Sequence, residues 1–111
     1  WAALGAALKE AKHLEVLRFQ GCSGMGDGGI ESLASGLPDD ATLWELHVDR
    51  CAISNVGGVH LIGAFPRCPQ LRFLGAEGNV MGAAGKGLLR AAAMMHPQNV
   101  RLYLEETDEE A

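Results

Sequence analysis

A chain of 111 residues, 48% hydrophobic and 21% charged, is long enough for one packed domain and too apolar for disorder. Its net charge of −5 is local: five of the 14 acids (Glu105, Glu106, Asp108, Glu109, Glu110) fall in the last seven residues, leaving nine acids against nine bases elsewhere. A neutral body offers no basic stripe for phosphates, which argues against nucleic acid as the principal partner. No apolar run approaches the roughly 18 residues that membrane insertion takes.

In chain order, Leu4 and Leu8 stand at helical spacing, followed by Leu14-x-x-Leu17-x-Phe19-x-x-Cys22. In that segment Leu17 and Phe19, two apart, share one face of an extended strand. A glycine-rich loop leads to Gly29, Leu33 and Leu37, whose spacing of four predicts one face of a helix. The sequence then repeats itself. Leu43-x-x-Leu46-x-Val48-x-x-Cys51 precedes Gly57, Leu61 and Phe65, and Leu71-x-x-Leu74-x-Ala76-x-x-Asn79 precedes Gly85, Leu89 and Ala93. Gly29, Gly57 and Gly85 are 28 residues apart, and are expected to allow close backbone approach or a positive φ at the helix entry. Leu102 and Leu104 begin a further strand, and Pro38, Pro66, Pro69 and Pro97 mark the helix-to-strand returns. The units read as a half unit 1–13, full units 14–42, 43–70 and 71–98, and a partial strand unit 99–104, with an acidic tail over 105–111. Neither strand nor helix can bury its apolar side alone, so stacking must create the core.

These segments match the signature L-x-x-L-x-L-x-x-N/C, and over residues 1–104 the chain resembles leucine-rich-repeat proteins. A 28-residue unit with a full helix resembles their ribonuclease-inhibitor-like subclass. The resemblance implies an α/β solenoid, a right-handed β/α superhelix with a parallel sheet on the concave face and helices on the convex one. Known members mostly bind proteins, as inhibitors, sensor domains or regulators of small GTPases. It therefore implies a non-catalytic protein–protein interaction module or a structural subunit of an assembly. The alternative is a regulatory domain of a larger enzyme or sensor, of the GTPase-activating or immune-receptor type.

On this register the concave face presents Glu15, Val16, Arg18 and Gln20, then Trp44, Glu45, His47, Asp49 and Arg50, then Arg72, Phe73 and Glu77, and last Val100, Arg101, Tyr103 and Glu105. Trp44, Phe73 and Tyr103 place one aromatic on each of three strands, with Arg72 and Arg101 nearby; aromatics and arginines are enriched at binding hot spots. His47 lies on the same face. Asp49, Glu77 and Glu105 form a column of like charge, a reason to expect a protein partner with a basic patch unless Arg50, Arg72 or Arg101 neutralises it internally.

Other motifs are weaker. Gly24-Met25-Gly26-Asp27-Gly28-Gly29 fits the dinucleotide fingerprint, but it occupies the loop every unit contains, so no cofactor is expected and a nucleotide-binding enzyme is the least favoured reading. Around Gly85-Lys86, Val80 and Gly87 break the phosphate-loop pattern. Cys22 and Cys51 hold equivalent places where a small group can sit buried and bond to loop backbone. With Cys68 they make an odd count and no C-x-x-C pair, which points to reduced thiols, an intracellular (cytoplasmic) setting and no zinc. His13, His47, His60 and His96 are scattered, and no nucleophile accompanies the His47–Asp49 pair, so no enzyme is expected. A start at Trp1 inside the helix half of a unit suggests a segment of a longer chain or of a complex.

Overall fold

Leucine spacing decides the layers. The computed structural model describes residues 1–105, in which α1 (Ala2–Leu8), β1 (Val16–Arg18), α2 (Gly26–Gly36), β2 (Glu45–His47), α3 (Asn55–Ala64), β3 (Phe73–Gly75), α4 (Ala83–Met95) and β4 (Arg101–Tyr103) alternate. The strands form one parallel sheet in the order β1-β2-β3-β4. Leu17 pairs with Leu46, Leu46 with Leu74 and Leu74 with Leu102, so the sheet register follows the sequence spacing. The ladder runs past the three-residue strands, for the Phe19 and Gly21 amides donate to His47 and Asp49, and the Val48 and Arg50 amides to Gly75 and Glu77, all at 2.8 Å.

The core lies between sheet and helices. Leu33, Leu61 and Leu89 are each at most 1% exposed, and Leu43, Leu71 and Leu74 meet them from the strand side. Among the described residues, none of the helices is long and apolar enough to cross a membrane.

Polar side chains join the units at two places. After each of the first three strands comes a turn closed by Cys22, Cys51 or Asn79. The Asn79 carboxamide oxygen accepts from the Cys51 and Ile53 amides at 2.9 and 3.1 Å, and its NH2 donates to Val48 and Ala76 carbonyls. The Cys51 thiol turns the same way toward the preceding unit, donating to the Phe19 carbonyl at 2.7 Å. A buried thiol bonded to loop backbone is what the sequence led us to expect at this position.

The second junction explains the repeated glycines. Asp27 accepts from the Ser54 hydroxyl, the Ser54 amide (2.8 Å) and the Gly57 amide (3.0 Å), capping α3 from the unit before it. Asn55, equivalent to Asp27, accepts from the Gly82 amide at 2.8 Å. A Cβ on Gly57 would collide with the Asp27 carboxylate, and one on Gly85 with the Asn55 carboxamide. Close approach, not positive φ, is therefore what these glycines supply, and the approaching group is a neighbouring side chain. Gly29 faces Met25 and Trp1 instead. At the α1–α2 contact a Cβ on Gly36 would lie 2.5 Å from the Gly5 Cα, so these two helices meet through backbone.

Candidate interaction face

The sheet face turned away from the helices carries the residues singled out by the sequence, but it groups them differently. In the register Phe73 pairs with Glu45 and Tyr103 with Gly75, while Trp44 stands one place before β2. The three aromatics thus occupy three different register positions rather than one column, with the Leu46–Leu74–Leu102 position between those of Phe73 and Tyr103. Phe73 packs edge-on against Tyr103 at 4.9 Å between ring centres and lies tilted, at 40°, against the His47 ring at 5.0 Å. The row is His47–Phe73–Tyr103. Trp44 stands outside it, 39% exposed, in a separate hollow of about 440 Å³ with Glu15, Thr42, Gln70 and Arg72.

Gly75 makes the row possible. It separates His47 from Tyr103 in the register, and a Cβ there would come within 3.1 Å of both the Asp49 carboxylate and the His47 ring. The resulting hollow, about 310 Å³, is lined by Gln20, His47, Asp49, Arg50, Phe73, Gly75, Glu77 and Tyr103. No Ser, Thr or Cys lines it. His47 Nε2 lies 2.9 Å from Glu45 Oε2, the atom that also accepts from Arg18 at 2.8 Å, and His47 Nδ1 stands 3.7 Å from Asp49. These contacts hold the imidazole between two carboxylates without aiming it at a nucleophile.

The acidic column is not an open acidic surface. Asp49 is only 7% exposed; its carboxylate accepts from the Glu77 amide at 2.9 Å and from Gln20 at 3.4 Å. A carboxylate buried at the end of a strand needs such donors, and here they are structural. Glu105 pairs with Lys86 at 3.1 Å and with Arg90 at 3.8 Å, both from α4. Glu105 is thus neutralised from α4, and among the described residues none of Arg50, Arg72 and Arg101 has an ion pair within 4.0 Å. Arg101 lies 5.6 Å over the Tyr103 ring, a cation–π contact that leaves its donors available. Val100, expected on this face, is buried instead. Beyond Glu105 the acidic tail lies outside the described residues.

Gln20, placed on this face by the sequence, lines the hollow, and Gly75 belongs to it without having been singled out. A glycine inside a strand pattern signals close approach, and that signal was available at Gly75. The helix side also held a surprise. Val56 and Val59 of α3, and Leu88, Met94 and Met95 of α4, are between 55% and 86% exposed. The expected helical stripe describes only the inward face, and periodicity says nothing of apolar residues outside it.

The fingerprint-like glycines serve the fold: the Gly26 amide donates to Cys51 at 2.9 Å, and the Met25 side chain covers Gly29. Among the described residues no group of three His, Cys, Asp or Glu could hold a metal ion.

No protein-family model matches the sequence, and no curated protein matches it. A solved structure from Caenorhabditis elegans, a tropomodulin C-terminal domain, matches with a TM-score of 0.75 at 18% identity. The match covers 91% of this chain and 60% of that one, so the chain spans somewhat more than half the length of that structure. At such low identity the likeness is one of fold. Together with the alternating helices and parallel strands, it gives the chain a leucine-rich-repeat-like fold.

Proposed function

We propose that this protein is a non-catalytic interaction module of the ribonuclease-inhibitor-like leucine-rich-repeat kind, and that it binds a protein partner on the concave side of its sheet. The 28-residue spacing and full helices support the subclass. The observation that carries the function is the combination of an exposed Trp44 with the His47–Phe73–Tyr103 row around a hollow, all on the sheet face free of helices. Aromatic anchors beside arginines are the composition of interface hot spots. The likeness to tropomodulin's domain supports a binding or structural role in the same general sense.

A photo-cross-linking residue in place of Gln20 or Trp44, compared with one in place of Glu31 on α2, tests the assignment in native extract. Adducts should form from the sheet positions, and those from position 20 should disappear when Trp44→Ala and Tyr103→Ala are combined. Adducts arising only from position 31 would move the binding surface to the helices.

A further inference from the structure

The charges on the sheet face are not balanced in the way their number implies. Glu45 is held by Arg18, Glu105 by Lys86 and Arg90, and Asp49 is buried on the Glu77 amide. Arg72, just before β3, Arg101, opening β4, and Arg50, just after β2, are all exposed and have no ion pair among the described residues. Arg72 shares Trp44's hollow, Arg101 lies over Tyr103, and Arg50 lines the hollow closed by Phe73 and Tyr103. Each aromatic anchor has beside it an exposed arginine without an ion pair among the described residues, and in Trp44's hollow the exposed Glu15 accompanies Arg72.

Arg50 adds a separate observation. Its φ is +54°, in the left-handed region that L side chains disfavour. The equivalent positions in the neighbouring units are Gly21 (φ +78°) and Gly78 (φ +69°), which adopt that conformation freely. Moreover, a Cβ on Gly78 would lie 2.7 Å from Arg50 Cγ, so the next unit leaves room for this side chain. A strained arginine, accommodated by its neighbour and bonded to no carboxylate among the described residues, has a physical reason to be there if a ligand supplies the carboxylate.

We propose that the occupant of the sheet face is an acidic peptide segment of a protein partner, with carboxylates on Arg72 and Arg101 at the strand starts and on Arg50 at the strand ends, and with an apolar residue between them against Phe73 and Tyr103. The inference rests on the concave-face reading above. A basic segment would approach three cations without an ion pair among the described residues, while of the face's acids Glu45, Asp49 and Glu105 already have partners. Arginine is suited to the role because its planar fork binds a carboxylate through two parallel hydrogen bonds.

The test is panning of a random 12-residue peptide library against the full chain, with enriched peptides resynthesised and their affinities measured. Peptides rich in Asp and Glu are expected. Their affinity should fall roughly tenfold for each of Arg50→Gly, Arg72→Ala and Arg101→Ala, the loss of one charge-assisted contact, and should weaken further with added salt. Arg50→Gly adopts the residue of both neighbouring units, so loss of binding with an intact unfolding transition is not a folding defect. Lys- and Arg-rich peptides that require Trp44 would overturn the acidic occupant and keep the concave face. Peptides indifferent to Trp44, Tyr103 and all three arginines would overturn both readings, and no enrichment over the bare support counts against the acidic occupant.

Discussion

The Asp27 carboxylate occupies the space a Cβ on Gly57 would fill, and from there it accepts the Gly57 amide at 3.0 Å. One unit thus caps the helix of the next, and the glycine is what lets the cap approach. Gly57→Ala is expected to destabilise the fold by about 1–3 kcal/mol through overpacking, and Asp27→Ala by about 1 kcal/mol through loss of the cap. The two should not add. With Asp27 shortened, the clash with the carboxylate is removed and the 2.5 Å contact with Ile53 Cγ2 remains. Urea unfolding of both single variants and the double variant measures this, and a coupling energy near zero would contradict the shared-space account.

The same carboxylate gives the stability a pH dependence. Burial alone would raise its pKa, but hydrogen bonds from the Ser54 hydroxyl, Ser54 amide and Gly57 amide, with the His60 charge, together outweigh burial and hold it below the ordinary value of 3.8. A carboxyl with a depressed folded pKa contributes stability that is present above its unfolded pKa and is lost as pH falls through the folded one. Asp27→Asn keeps an acceptor, as Asn55 does one unit later, but cannot titrate. Unfolding free energies measured from pH 6 down to pH 2.5 should show a shallower acid loss in Asp27→Asn than in the wild type. Parallel curves would assign the acid sensitivity to other carboxylates.

Asn79 accepts two amide hydrogens and donates to two carbonyls, and three of these four bonds reach the preceding unit. Asn79→Ala should be more damaging than any surface change, by about 3 kcal/mol, because each buried group left unpaired costs about 1–3 kcal/mol. Hydrogen exchange at the Cys51 and Ile53 amides should accelerate together. Asn79→Cys, copying positions 22 and 51, should recover only part of the loss, since a thiol is a weak acceptor.

The repeat was legible because burial imposes it. Leu33, Leu61 and Leu89 must all face the core, so their spacing along the chain already reports the stacking. The glycines were visible as a period but not as a mechanism, because what fills the space over Gly57 and Gly85 comes from residues 27 and 55 of the preceding units. The face was legible as a set of residues and not as an arrangement. Counting placed one aromatic per strand, whereas the row depends on register and on Gly75, a position whose contribution is the absence of a side chain. The fate of the charges was hidden for a related reason. Glu105 is neutralised from α4, and no alternation along a strand reveals a partner on a helix.

Thiol reactivity should divide the cysteines. Cys51 and Cys68 are buried, and burial pushes both pKa values up, that of Cys68 to about 11, while Cys22 is half-buried at the outer unit. An aromatic disulfide reagent at pH 8 should label Cys22 rapidly, and the other two only at the rate of opening or unfolding, because the thiolate is the reacting form. Prompt labelling of all three in the native protein would contradict the packing around Phe19 and Asp49.

Arg50 offers a case in which stability and binding should move in opposite directions. Its left-handed backbone costs about 1–2 kcal/mol, and glycine removes that strain while losing about 0.5–1 kcal/mol to its freer unfolded state. Arg50→Gly should therefore raise the stability by about 0.5–1 kcal/mol, a gain of a few degrees in Tm for a domain of this size. Arg50→Ala keeps the strain and should show no such gain. If the glycine variant is instead less stable, the Arg50 stem over Gly78 contributes packing that outweighs its backbone strain, and the argument that a ligand accounts for the strained residue loses its energetic basis. If it is more stable and binds acidic peptides less well, the residue is retained at the expense of the fold, which is the signature of a position held for its ligand.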